Sequence, residues 1–128
     1  HARNHAAFWD GHQLTLTPAY DICPQARTGQ EASQAMLIHG NDNLSRLSTC
    51  LSVVETFHLN TNDALAIIRA QMQAIRAHWL AVCADAGLSQ VDQNLLWGRQ
   101  FLNPFAFTEL DGEARSLRAL ANDIRGFV

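Results

Sequence analysis

The chain has 128 residues and a net charge of −3, and its nine basic side chains are all arginine. Apolar residues make up 48% and charged residues 16%, a balance that provides for a packed core and excludes a disordered tail. The negative charge argues against direct nucleic-acid binding by this chain, because phosphate contacts supply most of the affinity of such proteins and require positive charge.

A β-hairpin over residues 5–17 is the first predicted element. Asp10-Gly11 lies between two short apolar-rich runs, and this dipeptide favours a tight turn in which both residues have positive φ. Leu14 and Leu16 alternate with polar residues. This alternation predicts that one face of the hairpin is buried against the rest of the protein.

Helical patterns fill the rest of the chain, so the predicted fold is mainly α, with four or five helices behind one N-terminal β-hairpin. Turn-forming residues at 39–42 separate the first two helices. Ser89 and Asp92 resemble a capping box at the start of the fourth helix, and Pro104 ends it. The predicted helices cover residues 31–38, 44–57, 61–86 and 89–102, with a last short helix around 117–124.

The third helix has the clearest pattern. Thr61 or Asn62 is placed to cap its start, and Gly87 to end it. Its apolar residues recur at alternating spacings of three and four, which is typical of the core-facing side of a helix. We therefore predict that this stripe is buried. Its members are Leu65, Ile68, Met72, Ile75, Trp79 and Val82.

The three cysteines, Cys23, Cys50 and Cys83, are widely spaced and odd in number, which is typical of reduced thiols in a cytoplasmic protein. None forms a C-x-x-C pair, so a cysteine zinc site is not expected. No apolar run reaches the roughly 18 residues of a membrane span, and the first residues do not resemble a secretory signal. We expect a cytoplasmic protein without membrane contact.

Asn4 and Asp21 are the residues that best combine position with metal chemistry. They lie on either side of the predicted hairpin, which brings its two ends together. An amide oxygen beside a carboxylate suits Mg²⁺, which proteins hold through one or two groups plus phosphate oxygens, and phosphoryl-transfer enzymes use such a pair. The spacing alone leaves a second interpretation open, in which both are ordinary turn and cap residues.

Two segments around the hairpin resemble motifs of the HipA-like toxin kinases. Residues 1–4, His-Ala-Arg-Asn, are similar to the end of the family's Asp-x-His-x-(Lys/Arg)-Asn catalytic loop. Residues 16–21, Leu-Thr-Pro-Ala-Tyr-Asp, resemble its Leu-x-Pro-x-Tyr-Asp segment, which replaces the Asp-Phe-Gly motif of other protein kinases. The helical remainder matches in character only. The resemblance implies a protein-kinase-like helical C-lobe that acts in Ser/Thr phosphorylation with ATP and Mg²⁺.

By that resemblance, Asn4 and Asp21 are the magnesium ligands, Arg3 stands near the transferred phosphate and His1 holds the loop. The family's catalytic base, an Asp two positions before the histidine, is not in this sequence, and neither is a nucleotide-binding lobe. We therefore expect residues 1–128 to be the C-terminal lobe of a longer kinase and to be inactive alone. The implied partners are the N-terminal kinase lobe, a protein substrate and a DNA-binding antitoxin.

Two alternatives stay open. One is a non-catalytic helical module that docks a DNA-binding antitoxin or another protein. An open cleft shared by Asn4 and Asp21 favours the enzyme, whereas a salt bridge that buries Asp21 away from Asn4 favours the module. The other is a zinc pair at His1 and His5, which their predicted loop and strand setting disfavours.

Overall fold

A small hairpin precedes a mainly helical body, as the sequence predicts. The computed structural model describes residues 2–24, 29 and 31–126. The strands are β1 (Ala7–Trp9) and β2 (Leu14–Leu16), and the α-helices are α1 (Leu47–Leu51), α2 (Thr61–Asp85), α3 (Gln90–Leu96) and α4 (Arg115–Arg125). Short 3-10 helices cover Ala2–Asn4, Val54–Phe57, Pro104–Phe107 and Gly112–Ala114.

The hairpin turn lies one residue later than predicted. Asp10 still pairs with Gln13, through a 3.4 Å hydrogen bond from its N–H to the Gln13 carbonyl, so the turn residues are Gly11 and His12. Gly11 has a φ of 100°, whereas Asp10 keeps a negative φ. The Asp10 carboxylate accepts hydrogen bonds from the His12 and Gln13 N–H groups, both at 2.8 Å. The Gln13 bond, followed by that from His12, lowers the pKa of Asp10.

The predicted buried face of the hairpin is wrong. β1 and β2 pair antiparallel with Trp9 opposite Leu14 and Ala7 opposite Leu16, so these four side chains share one face. Trp9, Leu14 and Leu16 are 61%, 70% and 77% exposed. Alternation along a strand shows which residues share a face, but it does not show whether another element covers that face.

Residues 31–38 form a β-bridge and bends, and the helix predicted there is wrong. Ser33 forms a β-bridge with Leu44, so this stretch runs antiparallel to the chain that returns from the predicted turn. The turn itself is confirmed: the Asp42 N–H donates to the His39 carbonyl at 2.7 Å. Pairing between the segments before and after the turn at residues 39–42 has overridden a moderate local preference for helix.

A polar cluster fixes this turn to the helical body. Asp42 accepts hydrogen bonds from the Leu44 N–H at 2.8 Å, the Thr49 hydroxyl at 2.8 Å and the Arg46 guanidinium at 3.1 Å. The Leu44 N–H and the Thr49 hydroxyl are the main reasons that the pKa of Asp42 is lowered. Arg46 also forms an ion pair with Glu109, and its side chain is only 12% exposed.

Two of the predicted helices are shorter in the structure. The helix predicted over residues 44–57 is divided into α1 and the 3-10 helix Val54–Phe57. The helix predicted from Ser89 begins as expected, with the Ser89 hydroxyl accepting from the Asp92 N–H at 3.2 Å, but it ends at Leu96 rather than at residue 102. Gly98, with a φ of 75°, then reverses the chain, which explains the early end.

The long helix α2 is confirmed, with one correction at its N-terminal end. Its cap is Asn60 instead of Thr61 or Asn62, because the Asn60 side chain accepts from the Asp63 N–H at 2.9 Å. The helix ends before Gly87, as predicted, and this glycine has a positive φ of 64°. Within the residues that the structure describes, no helix has both the length and the apolar character needed to cross a membrane.

The core lies between α2, α4 and the segment that joins α3 to α4. Of the predicted stripe, Leu65, Met72 and Trp79 are buried, and Ile68 and Ile75 are half-buried. Val82 was predicted to be buried, but it is 58% exposed, and the neighbouring Cys83 is buried in its place. The last predicted helix is confirmed as α4. The main cluster is Leu65, Met72, Leu102, Phe107, Leu110, Ala114, Leu117, Ala121 and Ile124.

Candidate metal-binding site

Asn4 and Asp21 meet at the base of the hairpin, as the sequence predicts. Asn4 is the last residue of the first 3-10 helix, and Asp21 lies beyond the end of β2. A 3.0 Å hydrogen bond from the Thr17 N–H to the Ala6 carbonyl closes the hairpin between them. The Asn4 side-chain N–H2 group donates directly to the Asp21 carboxylate. Asp21 is exposed. The structure therefore does not contain the alternative arrangement, in which a salt bridge buries Asp21 away from Asn4.

Tyr20 adds a second link between the same two segments. Its hydroxyl donates to the backbone carbonyl of Arg3 at 2.7 Å. The two links therefore join neighbouring residue pairs, Arg3 with Tyr20 and Asn4 with Asp21. The sequence alone does not assign a role to Tyr20, although the residue lies in the motif that carries the family resemblance.

Asp21 has an unusual backbone conformation. Its φ is 55°, in the left-handed region that residues other than glycine seldom adopt. This conformation costs about 1–2 kcal/mol for most residues, and Asp is among the few types that tolerate it better. Such conformations persist where the surrounding structure determines them and are concentrated at functional sites.

The two side chains offer oxygen atoms of the kind that a hard cation binds. The Asn4 side-chain oxygen Oδ1 is buried and has no hydrogen-bond partner among the residues that the structure describes. The Asp21 carboxylate carries the negative charge. Mg²⁺ takes carboxylate and amide oxygens and leaves further positions to water and phosphate. The donor set therefore fits Mg²⁺, provided that the Asn4 amide rotates to turn its oxygen toward Asp21.

The site opens into a cleft of about 720 Å³. Asn4, His5 and Asp21 lie along it, and Tyr20 and Gln34 contribute to its walls. Both metal-binding candidates therefore line this cleft, and Asp21 is exposed in it.

Arg3, His1 and His5 are the other residues for which the sequence suggested a role at a site. Arg3 is exposed and directly precedes Asn4. His1 lies outside the described residues, so its predicted loop role and the zinc pair with His5 have no structural description. Across residues 2–24, 29 and 31–126, no three His, Cys, Asp or Glu side chains are grouped as metal ligands would be.

Comparison with known proteins agrees with the resemblance in the two motifs. The model of the HipA-like C-terminal domain family matches residues 1–79, more than half of the chain. The match contains both motifs, the hairpin and most of α2, whereas α3 and α4 lie beyond it. Neither curated proteins nor solved structures gave a significant match. The family match, together with the paired motifs at the hairpin base, means that this chain belongs to the HipA-like C-terminal domain family.

Proposed function

We propose that this chain is the metal-binding helical part of a HipA-like protein kinase that transfers phosphate from ATP to Ser or Thr of a protein. Asn4 and Asp21 hold Mg²⁺. The observation that supports this function is the side-chain contact of Asn4 with Asp21 at the base of the hairpin, within the segment that matches the family. The ATP-binding groups come from the N-terminal lobe of the kinase.

Each residue has a distinct part in the proposed site. Bound Mg²⁺ supplies charge neutralisation of the nucleotide phosphates. The Asp21 carboxylate provides the negative charge that attracts the ion, and the Asn4 oxygen provides a neutral second ligand. Arg3 is exposed beside Asn4, and its proposed role is to pair with a phosphate oxygen through its guanidinium.

We expect the chain to transfer no phosphate by itself. Phosphoryl transfer depends mainly on positioning the nucleotide and on electrostatic stabilisation. Two side-chain ligands leave most of the octahedral shell of Mg²⁺ to water or phosphate, so metal binding by the isolated chain is expected to be weak.

Metal binding is tested on the chain itself with Mn²⁺, which reports its free concentration by electron paramagnetic resonance. We expect Asp21→Asn to weaken binding about tenfold or more, because the anionic ligand is lost. Asn4→Ala is expected to have a smaller effect, since it removes a neutral ligand. Asp10→Asn is the matched control: Asp10 is an exposed carboxylate at the opposite end of the same hairpin. Equal Mn²⁺ affinity in wild type and Asp21→Asn overturns the site.

Catalysis is tested in the complete kinase with labelled ATP. Asp21→Asn is expected to lower transfer on the order of 100-fold or more, because an electrostatic contribution to the transition state is lost. Asp21 is exposed, so thermal unfolding is expected to change little. Near-normal transfer by Asp21→Asn contradicts the assignment. Lost transfer together with a collapsed melting temperature indicates a structural role for Asp21 instead.

A second candidate function is a non-catalytic module that docks a DNA-binding antitoxin or another protein. The observation that favours it is the exposed apolar face of the hairpin formed by Trp9, Leu14 and Leu16, since such faces often mark protein contacts. Leu14→Ser separates the two functions. It is expected to weaken partner binding in a calorimetric titration with the antitoxin and to leave Mn²⁺ affinity unchanged.

A further inference from the structure

We propose that Tyr20 is a positioning residue of the metal site, because its hydroxyl fixes the spacing of the two metal ligands. This inference rests on the proposed function of Asn4 and Asp21. Tyr20 does not touch the ion in this proposal. It acts through the carbonyl of Arg3, to which it donates a hydrogen bond of 2.7 Å.

The location of this hydrogen bond is the first reason for the proposal. Tyr20 directly precedes Asp21, and Arg3 directly precedes Asn4, so the bond ties the side chain of the residue before one ligand to the backbone of the residue before the other. The hairpin by itself restrains the spacing of the two ligands less directly. Its closing hydrogen bond joins Thr17 to Ala6, and three residues of chain separate Thr17 from Asp21.

The backbone of Asp21 is the second reason. A residue held at a φ of 55° requires neighbours that keep it there. Tyr20, anchored by its hydroxyl to the opposite segment, supplies such a restraint on the preceding peptide. With the Arg3 carbonyl held by this hydrogen bond, the Asn4 oxygen is brought toward the ion by rotation of the side-chain amide alone.

The exposure of Tyr20 makes this role separable from a role in folding. The residue is 42% exposed, so Tyr20→Phe removes one hydroxyl and leaves no buried void. Substitutions at exposed positions usually change stability only slightly. For a chain of this size we therefore expect the melting temperature to stay within about 2 °C.

The first test is Mn²⁺ titration of the 128-residue chain by electron paramagnetic resonance. Tyr20→Phe is expected to weaken Mn²⁺ binding about three- to tenfold, the change that corresponds to one ordinary hydrogen bond. Thr15→Val is the control, because it removes an exposed hydroxyl from β2 without touching either ligand. Unchanged affinity in Tyr20→Phe overturns the positioning role. Weaker binding with a melting temperature lowered by more than about 5 °C also overturns it, since the hydroxyl then supports the fold.

The second test uses the fact that Tyr20 is the only tyrosine of the chain. Incorporation of 3-fluorotyrosine therefore gives a single fluorine resonance from this side chain. Addition of Mg²⁺ is expected to shift it in the wild type and to leave it unchanged in Asp21→Asn. A resonance that does not respond in a wild type that binds Mn²⁺ contradicts the coupling of Tyr20 to the site. If the wild type binds Mn²⁺ no better than Asp21→Asn, the proposed metal site itself fails, a result distinct from failure of the role of Tyr20.

Discussion

The variants Leu65→Ala and Val82→Ala test whether the structure or the sequence pattern describes the buried face of α2 correctly. Both residues belong to the apolar stripe predicted for α2. In the structure Leu65 is 1% exposed and lies in the main core cluster, whereas Val82 is 58% exposed. The pattern predicts a large loss of stability for both variants, and the structure predicts it for Leu65→Ala alone.

The expected magnitudes follow from burial. Leu65→Ala removes three buried carbon atoms, worth about 0.8 kcal/mol each in transfer energy, and the residual cavity brings the cost to about 3–4 kcal/mol. Val82→Ala removes two carbon atoms that are largely in water already. The better helix propensity of alanine offsets much of that small loss, so the net change is expected to be below about 0.5 kcal/mol.

Urea unfolding followed by circular dichroism at 222 nm measures both changes, with tryptophan fluorescence as the second probe for two-state behaviour. Leu65→Ala is expected to lower the melting temperature by roughly 10–15 °C. A cost below about 1 kcal/mol for Leu65→Ala, or similar costs for the two variants, would refute the described packing of α2.

Three further outcomes are expected. The pKa of Asp42 is lowered in the folded state. The stabilising effect of its carboxylate is therefore complete at neutral pH and is lost as the pH falls below about 4. The difference in melting temperature between wild type and Asp42→Asn is expected to shrink from pH 7 to pH 3. The Cys83 side chain is buried, so a thiol reagent is expected to label Cys83 only on unfolding. Burial raises the pKa of both the Cys83 and the Cys50 thiols, but Cys50 is exposed and is therefore expected to react in the native protein. The exposed apolar face of the hairpin is expected to cause concentration-dependent association in sedimentation, and the double variant Leu14→Ser/Leu16→Ser to reduce it; a wild type that stays monomeric at high concentration contradicts this.

The sequence was sufficient to predict an element where one strong apolar periodicity runs through it. The helix α2 follows from its apolar stripe, but the choice between Val82 and Cys83 does not, because both lie near the same face one turn beyond Trp79. The position of the cap was equally undetermined, since Asn60, Thr61 and Asn62 are all good capping residues.

The errors arise where distant residues compete with local preference. Residues 31–38 have a helix-compatible composition, yet Ser33 pairs with Leu44 across the turn, and a single sequence contains no measure of that pairing. The contact of Asn4 with Asp21 was predictable because a hairpin joins its two ends. The hydrogen bond from Tyr20 to Arg3 was not, since a tyrosine hydroxyl can pair with any nearby carbonyl.

In the proposed site, the hydrogen bonds from Asn4 to Asp21 and from Tyr20 to Arg3 at the base of the hairpin set the spacing of the two ligands. The tip of the hairpin, Gly11 and His12, is therefore not needed for that spacing. Gly11 and His12 are exposed, and a strand rises about 3.3 Å per residue, so the tip is well removed from Asn4. A short flexible peptide inserted between Gly11 and His12 adds only a modest loop-closure cost. The tip is therefore a suitable place for an affinity handle, through which the chain can be immobilised with its Asn4 and Asp21 side chains unaltered.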